Sequence, residues 1–164
     1  MDKKKCVFAG TFDPPTTGHE KVVNKCLKIF DEVVVAVMVN PEKSPYFSEN
    51  ERVLLLNKLF SGENRVKIRT FAGAAVDLLE EENTPFYVRG IRNTVDFEYE
   101  NLNFFANKKL KKDIITVYFP AEQEDLQVSS SLVKNSIRFK KDYNDYIPEK
   151  IRDELHRILE KKNV

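Results

Sequence analysis

Apolar residues cluster in short runs whose Val, Ile, Phe and Tyr content is typical of β-strands. Such runs predict strands at 5–10, 32–39, 66–71, 85–90 and 114–120. Within the second of these runs, positions 33–39 are apolar without alternation, which indicates a strand that is buried on both faces of a parallel sheet. The sequence therefore predicts five strands, one of them buried on both faces.

Between the strands, the spacing of apolar residues changes to that of helices. One apolar stripe consists of Val22, Val23, Cys26, Leu27 and Phe30. Ser48 and Glu51 have the spacing of a capping box at the start of the next helix. Further helices are predicted at 73–82, 95–110, 129–139 and 148–162, the last with Pro148 in its first turn.

This alternation of strand and helix predicts a parallel sheet with right-handed crossovers. We predict one α/β domain over residues 1–164, with a Rossmann-like doubly wound sheet of five parallel strands, helices on both faces and a C-terminal helix. Ligands of such sheets bind at the carboxyl ends of the strands, near the point where the strand order reverses. Residues that directly follow strands are therefore the candidates for a site.

Composition excludes several classes of protein. The 164 residues are 41% hydrophobic and 32% charged, with a net charge of +1, which argues against a general binder of nucleic acids or membrane surfaces. No apolar run reaches the ~18–20 residues of a membrane span, and no signal-peptide core is present. We expect Cys6 and Cys26 to be buried thiols in a reducing cytoplasm. No paired Cys or His has the spacing of metal ligands.

Polar side chains follow the predicted strands. Thr11 and His19 come after the first strand, Lys43 after the second, and Arg89 and Arg92 at the end of the fourth. Cations, hydroxyls and a histidine gather at this edge without a compensating cluster of acids. The sequence therefore predicts an anion site, and phosphate is the anion that such groups bind most readily.

His19 falls in the first turn of its helix. The helix dipole there disfavours a cationic ring, so a neutral imidazole that donates one N–H is expected. The alternative is an ordinary capping or surface histidine. Gly18 and the threonines beside it are likewise explained by turn and cap chemistry alone.

Two further groups also have plain explanations. Gly90 would let the chain turn sharply at the end of the fourth strand. The arginines on either side of it could pair with nearby acids, namely Asp96, Glu98 and Glu100. The serines at 129–131 could serve only to cap the N-terminus of a helix, or their hydroxyls and free N–H groups could hold a polyphosphate.

Together these residues resemble a known pattern. "GTFDPPTTGH" resembles the T/HxGH signature of the nucleotidylyltransferase superfamily, in the form Thr16-x-Gly18-His19, and "VSSSLVK" (128–134) resembles its second signature. "RGIRNTVDFEYE" (89–100), and Lys43 in "NPEKSPYFSENER", are similar to the bacterial phosphopantetheine adenylyltransferases. The resemblance extends from about residue 5 to the end of the chain.

The resemblance implies transfer of AMP from ATP to 4′-phosphopantetheine, giving 3′-dephospho-CoA and pyrophosphate in the penultimate step of coenzyme A synthesis. His19 would stabilise charge on the α-phosphate, with Thr11, Lys43 and Arg92 completing the catalytic group. The residues implied for the second substrate are Thr11, Lys43, Ala75 and Arg89. Those implied for ATP are Thr11, Phe12, His19, Gly90, Ile91, Arg92, Glu100, Asp125, Leu126, Gln127, Val128, Ser129, Ser130 and Ser131.

The same resemblance implies Mg²⁺ held mainly by phosphate oxygens, a homohexamer, and coenzyme A as a feedback inhibitor. The chain departs from the family in three places. Ala9 stands where a proline is usual, Asp125 stands where many members have tryptophan, and the loop before the serines is one residue longer. An acid at 125 removes a platform on which a base could stack.

Two other functions remain open at this point. A sibling enzyme would transfer AMP or CMP to another phosphate, such as nicotinamide mononucleotide or glycerol phosphate. A non-catalytic sensor that kept the fold would bind ATP without releasing pyrophosphate.

Overall fold

A computed structural model describes residues 4–162, and in them five strands form a single parallel sheet. The strands are β1 (Lys5–Gly10), β2 (Glu32–Met38), β3 (Val66–Phe71), β4 (Phe86–Ile91) and β5 (Ile115–Pro120). The α-helices are α1 (Thr17–Cys26), α2 (Glu49–Leu59), α3 (Ala75–Glu81), α4 (Thr94–Leu110), α5 (Ser130–Arg138) and α6 (Glu149–Lys161). Short 3₁₀ turns lie at Gln123–Asp125 and Asn144–Tyr146. Within this described part, none of the helices is both long and apolar enough to cross a membrane.

The strand order is β3-β2-β1-β4-β5, so β1 lies in the middle of the sheet. Cys6 of β1 lies beside Val33 of β2, and Val7 lies beside Tyr87 of β4. The chain runs outward from β1 to β3 and then crosses back to β4 on the other side of β1. The predicted doubly wound sheet is confirmed, and its order reverses between β1 and β4.

Alternate side chains of β1 fill two cores. Cys6 and Phe8 pack on one face with residues of α1 and α2, while Val7 and Ala9 pack on the other face with residues of α3. Cys6 and Cys26 are free and buried, as predicted, and the neighbouring Cys26 thiol together with burial raises the pKa of Cys6. Both thiols therefore behave as small apolar core groups.

Helices α2, α5 and α6 enclose another apolar cluster, which holds α5 in place beside the sheet. The predicted capping box is confirmed, because the Glu51 N–H donates to Ser48 Oγ at 3.2 Å and the Ser48 N–H donates to Glu51 Oε2 at 2.7 Å. Pro148 is the N-cap of α6, one position ahead of the first turn where the sequence placed it.

Gly90 does not mark a turn, contrary to the sequence prediction. It lies inside β4, paired with Phe119 of β5. A Cβ at this position would lie 3.1 Å from Cγ2 of Val22, a separation that few real contacts show. The glycine therefore allows α1 to approach the end of β4, and this approach brings the start of α1 close to the strand that carries Arg89.

Candidate active site

A cavity of about 550 Å³ opens at the carboxyl ends of β1 and β4, where the strand order reverses. Its walls are the β1–α1 turn, the end of β4, the start of α5 and the segment that carries Lys43. The parallel sheet brings these segments to one edge although they lie far apart in the chain. The expected position of the site is thus the position of the cavity.

Most of the residues implied by the resemblance line this cavity. They are Thr11, Phe12, His19, Lys43, Arg89, Gly90, Ile91, Arg92, Glu100, Asp125, Val128, Ser129, Ser130 and Ser131. Three others are not among the lining residues. Ala75 is the first residue of α3, and Leu126 and Gln127 are exposed on the segment before α5.

His19 is held by its own helix cap. The backbone N–H of Thr16 donates to Nδ1 of His19 at 3.0 Å, and the His19 N–H donates to Oγ1 of Thr16 at 3.5 Å. Burial, followed by the charges of Arg89 and Arg92, lowers the pKa of His19 to about 4. The ring is therefore neutral near pH 7, as expected, and with Nδ1 accepting a hydrogen bond its proton lies on Nε2.

The aromatic ring of Phe12 supports the imidazole of His19. Its ring is buried and meets the His19 ring edge-on, with 4.9 Å between the ring centroids. Its backbone has a φ of 50°, in the left-handed region that non-glycine residues rarely adopt. Such conformations persist where the surrounding structure enforces them, and here the buried ring packs against both Phe8 and His19.

Arg89 is fixed by a two-point contact with Glu100. Nε of Arg89 donates to Oε2 at 2.9 Å and Nη2 donates to Oε1 at 2.5 Å, while Nη1 donates to the carbonyl of Ala9 at 2.6 Å. Both carboxylate oxygens of Glu100 are thus engaged by the arginine. A bidentate pair of this kind fixes the plane of the guanidinium.

Arg92 is held in a similar way by Asp96, one helical turn further along the chain. Nε donates to Oδ2 at 2.9 Å and Nη2 donates to Oδ1 at 3.3 Å. Nη1 donates to the carbonyl of Val128 at 3.3 Å, which connects the end of β4 to the start of α5. The pairing of both arginines with nearby acids, considered as an alternative from the sequence, is what the structure contains, and both still line the cavity.

The cavity does contain compensating acids, and the sequence-based expectation of their absence was wrong. Its cations are Lys21, Lys25, Lys43, Arg89, Arg92 and Lys134, and its acids are Asp13, Asp96, Glu100, Glu122 and Asp125. Each of those acids forms an ion pair with one of the cations. Within residues 4–162, Lys43 is the cavity cation that has no ion pair. The spacing of residues along the sequence could not reveal these ion pairs, because partners such as Asp13 and Lys134 are distant in the sequence.

The three serines differ in their contacts. Ser129 is the N-cap of α5 and accepts from the Leu132 N–H at 3.1 Å, while Ser130 Oγ donates to the carbonyl of Pro14 at 2.8 Å. Ser131 is exposed in the first turn. The capping role is therefore present, and all three serines also line the cavity.

The segment before α5 is fastened to α1 by two lysines. Lys21 pairs with the buried carboxylate of Asp125 and with Glu124, and Lys25 pairs with Glu122 at 2.7 Å. Lys25 also donates to the carbonyl of Pro120 at 2.7 Å. Asp125 thus holds the segment by charge. The sequence analysis did not single out either lysine, and only their i, i+4 spacing on one helix face could have suggested them.

Comparison with known proteins identifies relatives along most of the chain. The sequence is 36% identical over 153 residues to phosphopantetheine adenylyltransferase of Leptospira biflexa, covering 93% of this chain and 96% of the relative. It is 36% identical over 149 residues to the protein of that name from Flavobacterium johnsoniae, covering 91% and 97% of the two chains. It is 39% identical over 145 residues to that of Clostridium beijerinckii, covering 88% and 91%.

A solved structure and a family profile agree with this placement. The putative nicotinate-nucleotide adenylyltransferase of Vibrio parahaemolyticus superposes with a TM-score of 0.68 over 93% of this chain and 98% of its own, at 20% identity, which shows a shared fold. The family described as Cytidylyltransferase-like matches residues 7–136. The chain belongs to the cytidylyltransferase-like family and, by identity over nearly its full length, to the phosphopantetheine adenylyltransferases.

Proposed function

We propose that this protein transfers AMP from ATP to 4′-phosphopantetheine, giving 3′-dephospho-CoA and pyrophosphate in the penultimate step of coenzyme A biosynthesis. The family to which the chain belongs carries this activity in its name. The observation that carries the proposal is the cavity at the strand switch point, around which Thr11, His19, Lys43, Arg89 and Arg92 converge.

The acceptor phosphate is already an anionic nucleophile, so the reaction requires no general base. One of its oxygens forms a bond to the α-phosphorus of ATP, and the bond from that phosphorus to the bridging oxygen of the β-phosphate breaks. The protein has to bring two anions together in line and offset their charge. In our proposal the Thr11 hydroxyl, the Lys43 ammonium and the Arg89 guanidinium hold the acceptor phosphate.

His19 would act at the α-phosphate as a neutral hydrogen-bond donor through Nε2. A ring fixed by Thr16 and Phe12 needs no reorientation as charge develops on the phosphate oxygens, which is the condition for effective electrostatic stabilisation. Arg92 and the start of α5 would contact the ATP phosphates. Because Arg89 engages both oxygens of Glu100, that acid would act on the site through the arginine.

We propose further that Mg²⁺ enters with ATP. Residues 4–162 contain no group of three or more metal-binding side chains that could hold an ion, and the carboxylates at the cavity are paired with cations. Phosphate oxygens and water would therefore supply the Mg²⁺ ligands, as this ion commonly prefers. When bound there, the ion neutralises phosphate charge.

Assembly, regulation and location are also proposals. We propose a homohexamer in the cytoplasm whose activity coenzyme A inhibits. Exposed apolar residues along α4, among them Val95, Tyr99 and Leu102, support assembly because they offer a surface that self-association could bury. Coenzyme A contains the proposed product as part of its structure, so competition for the same cavity is the simplest route of inhibition.

A pyrophosphate-release assay across several acceptors tests the proposed reaction. Purified protein with ATP and Mg²⁺ is offered 4′-phosphopantetheine, nicotinamide mononucleotide, nicotinic acid mononucleotide or glycerol phosphate, with CTP in place of ATP as a further arm. We expect turnover with ATP and phosphopantetheine. Turnover with a different acceptor alone would assign the sibling activity, and ATP binding without pyrophosphate release would assign a sensor.

A further inference from the structure

Asp13 is a buried acid that joins separate segments at the cavity. Its side chain is 3% exposed, and it lies two residues beyond Thr11 in the turn between β1 and α1. Oδ1 accepts from the Phe47 N–H at 2.8 Å, and Oδ2 accepts from the Tyr46 N–H at 3.0 Å. Oδ2 also accepts from Nζ of Lys134 of α5 at 2.9 Å. One carboxylate thus binds two consecutive backbone N–H groups and a cavity cation.

The segment that Asp13 binds is the one that carries Lys43. Between β2 and α2 this segment has no helix or strand of its own, and Lys43 is exposed on it three residues before Tyr46. Arg52 of α2 reinforces the same junction, because its Nη1 donates to the carbonyl of Thr11 at 2.8 Å. Without Asp13, the two N–H groups at 46 and 47 would lose their acceptor, and the segment would lose its attachment to the β1–α1 turn.

We infer that Asp13 is a positioning residue for the anion site, because it orders the Lys43 segment before the ligand arrives. This inference rests on the proposed function, in which Lys43 binds the acceptor phosphate. A cation on a loose segment loses part of its binding energy when the segment is ordered on binding. By fixing the segment in advance, Asp13 removes that cost.

The direction in which Asp13→Asn changes the affinity for anions distinguishes this role from a purely electrostatic one. Asp13→Asn keeps the shape of the side chain, removes one negative charge and leaves Lys134 without its partner. By charge alone, the variant would bind anions more tightly than the wild type. An amide has only one acceptor oxygen, so it cannot serve all three donors and would release the segment. Weaker anion binding therefore identifies positioning.

Calorimetric titration of 4′-phosphopantetheine provides the measurement. We expect Asp13→Asn to weaken binding by about tenfold or more, which is the loss that ordering a short segment causes. In a Lys43→Ala background the same substitution is expected to cost less than about threefold, because its effect passes through Lys43. Unchanged or tighter binding, or an effect of threefold or more in that background, would overturn the inference.

The inference and the proposed function can fail separately. If the wild type binds no phosphopantetheine, the proposed function fails, and the same four proteins are titrated with inorganic phosphate, which requires only the anion site beside Lys43 and is read by the same criteria. Glu82→Gln is the matched control, since Glu82 pairs with Lys5 and Arg69 away from the cavity, and it is expected to leave anion binding unchanged.

Hydrogen exchange on the wild type keeps the inference testable if Asp13→Asn does not fold. In the ligand-free protein, the amide hydrogens of Tyr46 and Phe47 are expected to exchange far more slowly than in an unstructured peptide. Exchange of both at unstructured rates would show that no order precedes the ligand, and the inference would be wrong.

Discussion

The backbone N–H of Thr16 donates a hydrogen bond to Nδ1 of His19 at 3.0 Å. A glutamate or glutamine usually closes a capping box at this position, so the histidine replaces a structural group with one that can also reach a ligand. The cap fixes the tautomer, because a nitrogen that accepts from a backbone N–H cannot carry the ring proton in the neutral state. The hydrogen bond of the helix cap thus leaves Nε2 as the ring nitrogen that can donate to a ligand.

Replacing His19 by alanine is expected to lower kcat by about 10²–10³, the usual effect of removing one preorganised donor to a charged transition state. Steady-state pyrophosphate release at saturating substrates measures this. His156→Ala is the control, because that ring lies on α6 and packs edge-on against Tyr143, outside the cavity. A kcat near that of the wild type in His19→Ala would refute the transition-state role.

The lowered pKa of His19 predicts a pH dependence of stability. In the folded protein the pKa is about 4, while an unfolded chain has a value near 6.5. Between these values the unfolded chain binds more protons, so the free energy of unfolding falls as the pH is lowered from about 6.5 towards 4. His19→Gln can keep the capping box without titrating, so urea unfolding of that variant should lose less stability over this range. Equal losses would contradict the shift.

Lys43→Ala is expected to weaken phosphopantetheine by about tenfold or more, the scale of a lost charge-assisted contact, and to change ATP binding much less. Its ammonium has no ion pair within the described residues and is available to the acceptor phosphate. Calorimetric titration of each substrate measures the two effects. Lys28→Ala, an exposed lysine near the end of α1, is the control, and a larger loss for ATP would reverse the assignment.

Lys21→Met is expected to raise the KM for ATP about fivefold, because it leaves the buried Asp125 unpaired and favours release of the segment before α5. Lys25→Met, whose partner Glu122 is half exposed, should raise that KM less, since exposed pairs contribute little. Initial rates at varied ATP measure both. An equal KM in the two variants would show that the buried pair does not set the loop position.

Leu102→Glu is expected to reduce the particle mass in solution, because it places a charge on the exposed apolar face of α4 that we propose is buried on assembly. Multi-angle light scattering compares it with the wild type and with Ile29→Glu, an exposed apolar site beyond the end of α1. A wild-type monomer would rule out the hexamer, and an unchanged mass in Leu102→Glu would rule out this face.

The sequence predicted the elements well because their signals are local. Strand periods, the Ser48 capping box and the apolar stripe of α1 each depend on neighbours within a few residues, and β1 and β3 were predicted with their observed bounds. Parallel topology then follows from the alternation of strand and helix, and it brings Thr11 and Arg92 to one edge.

The charge balance of the site was not predictable in the same way. Whether Arg89 pairs with Glu100, or Asp13 with Lys134, depends on the distance between segments that only the folded chain defines. Gly90 shows the same limit. A glycine is needed there because Val22 of α1 packs closely against it, and not because the chain turns at this position. Local patterns identify elements, whereas contacts between distant segments require coordinates.

The pairing of nearly every cavity cation with an acid also affects how ligands arrive. At a Debye length of ~8–10 Å, an approaching anion meets close dipoles rather than a large net charge, so long-range steering is weak. Encounter rates are therefore expected to vary little with ionic strength. A nucleic acid, with its many phosphates, therefore meets no extended attractive field. A small phosphate compound that enters the cavity meets donors that are already aligned. The site can thus favour small phosphorylated metabolites over nucleic acids without a loop that closes over it.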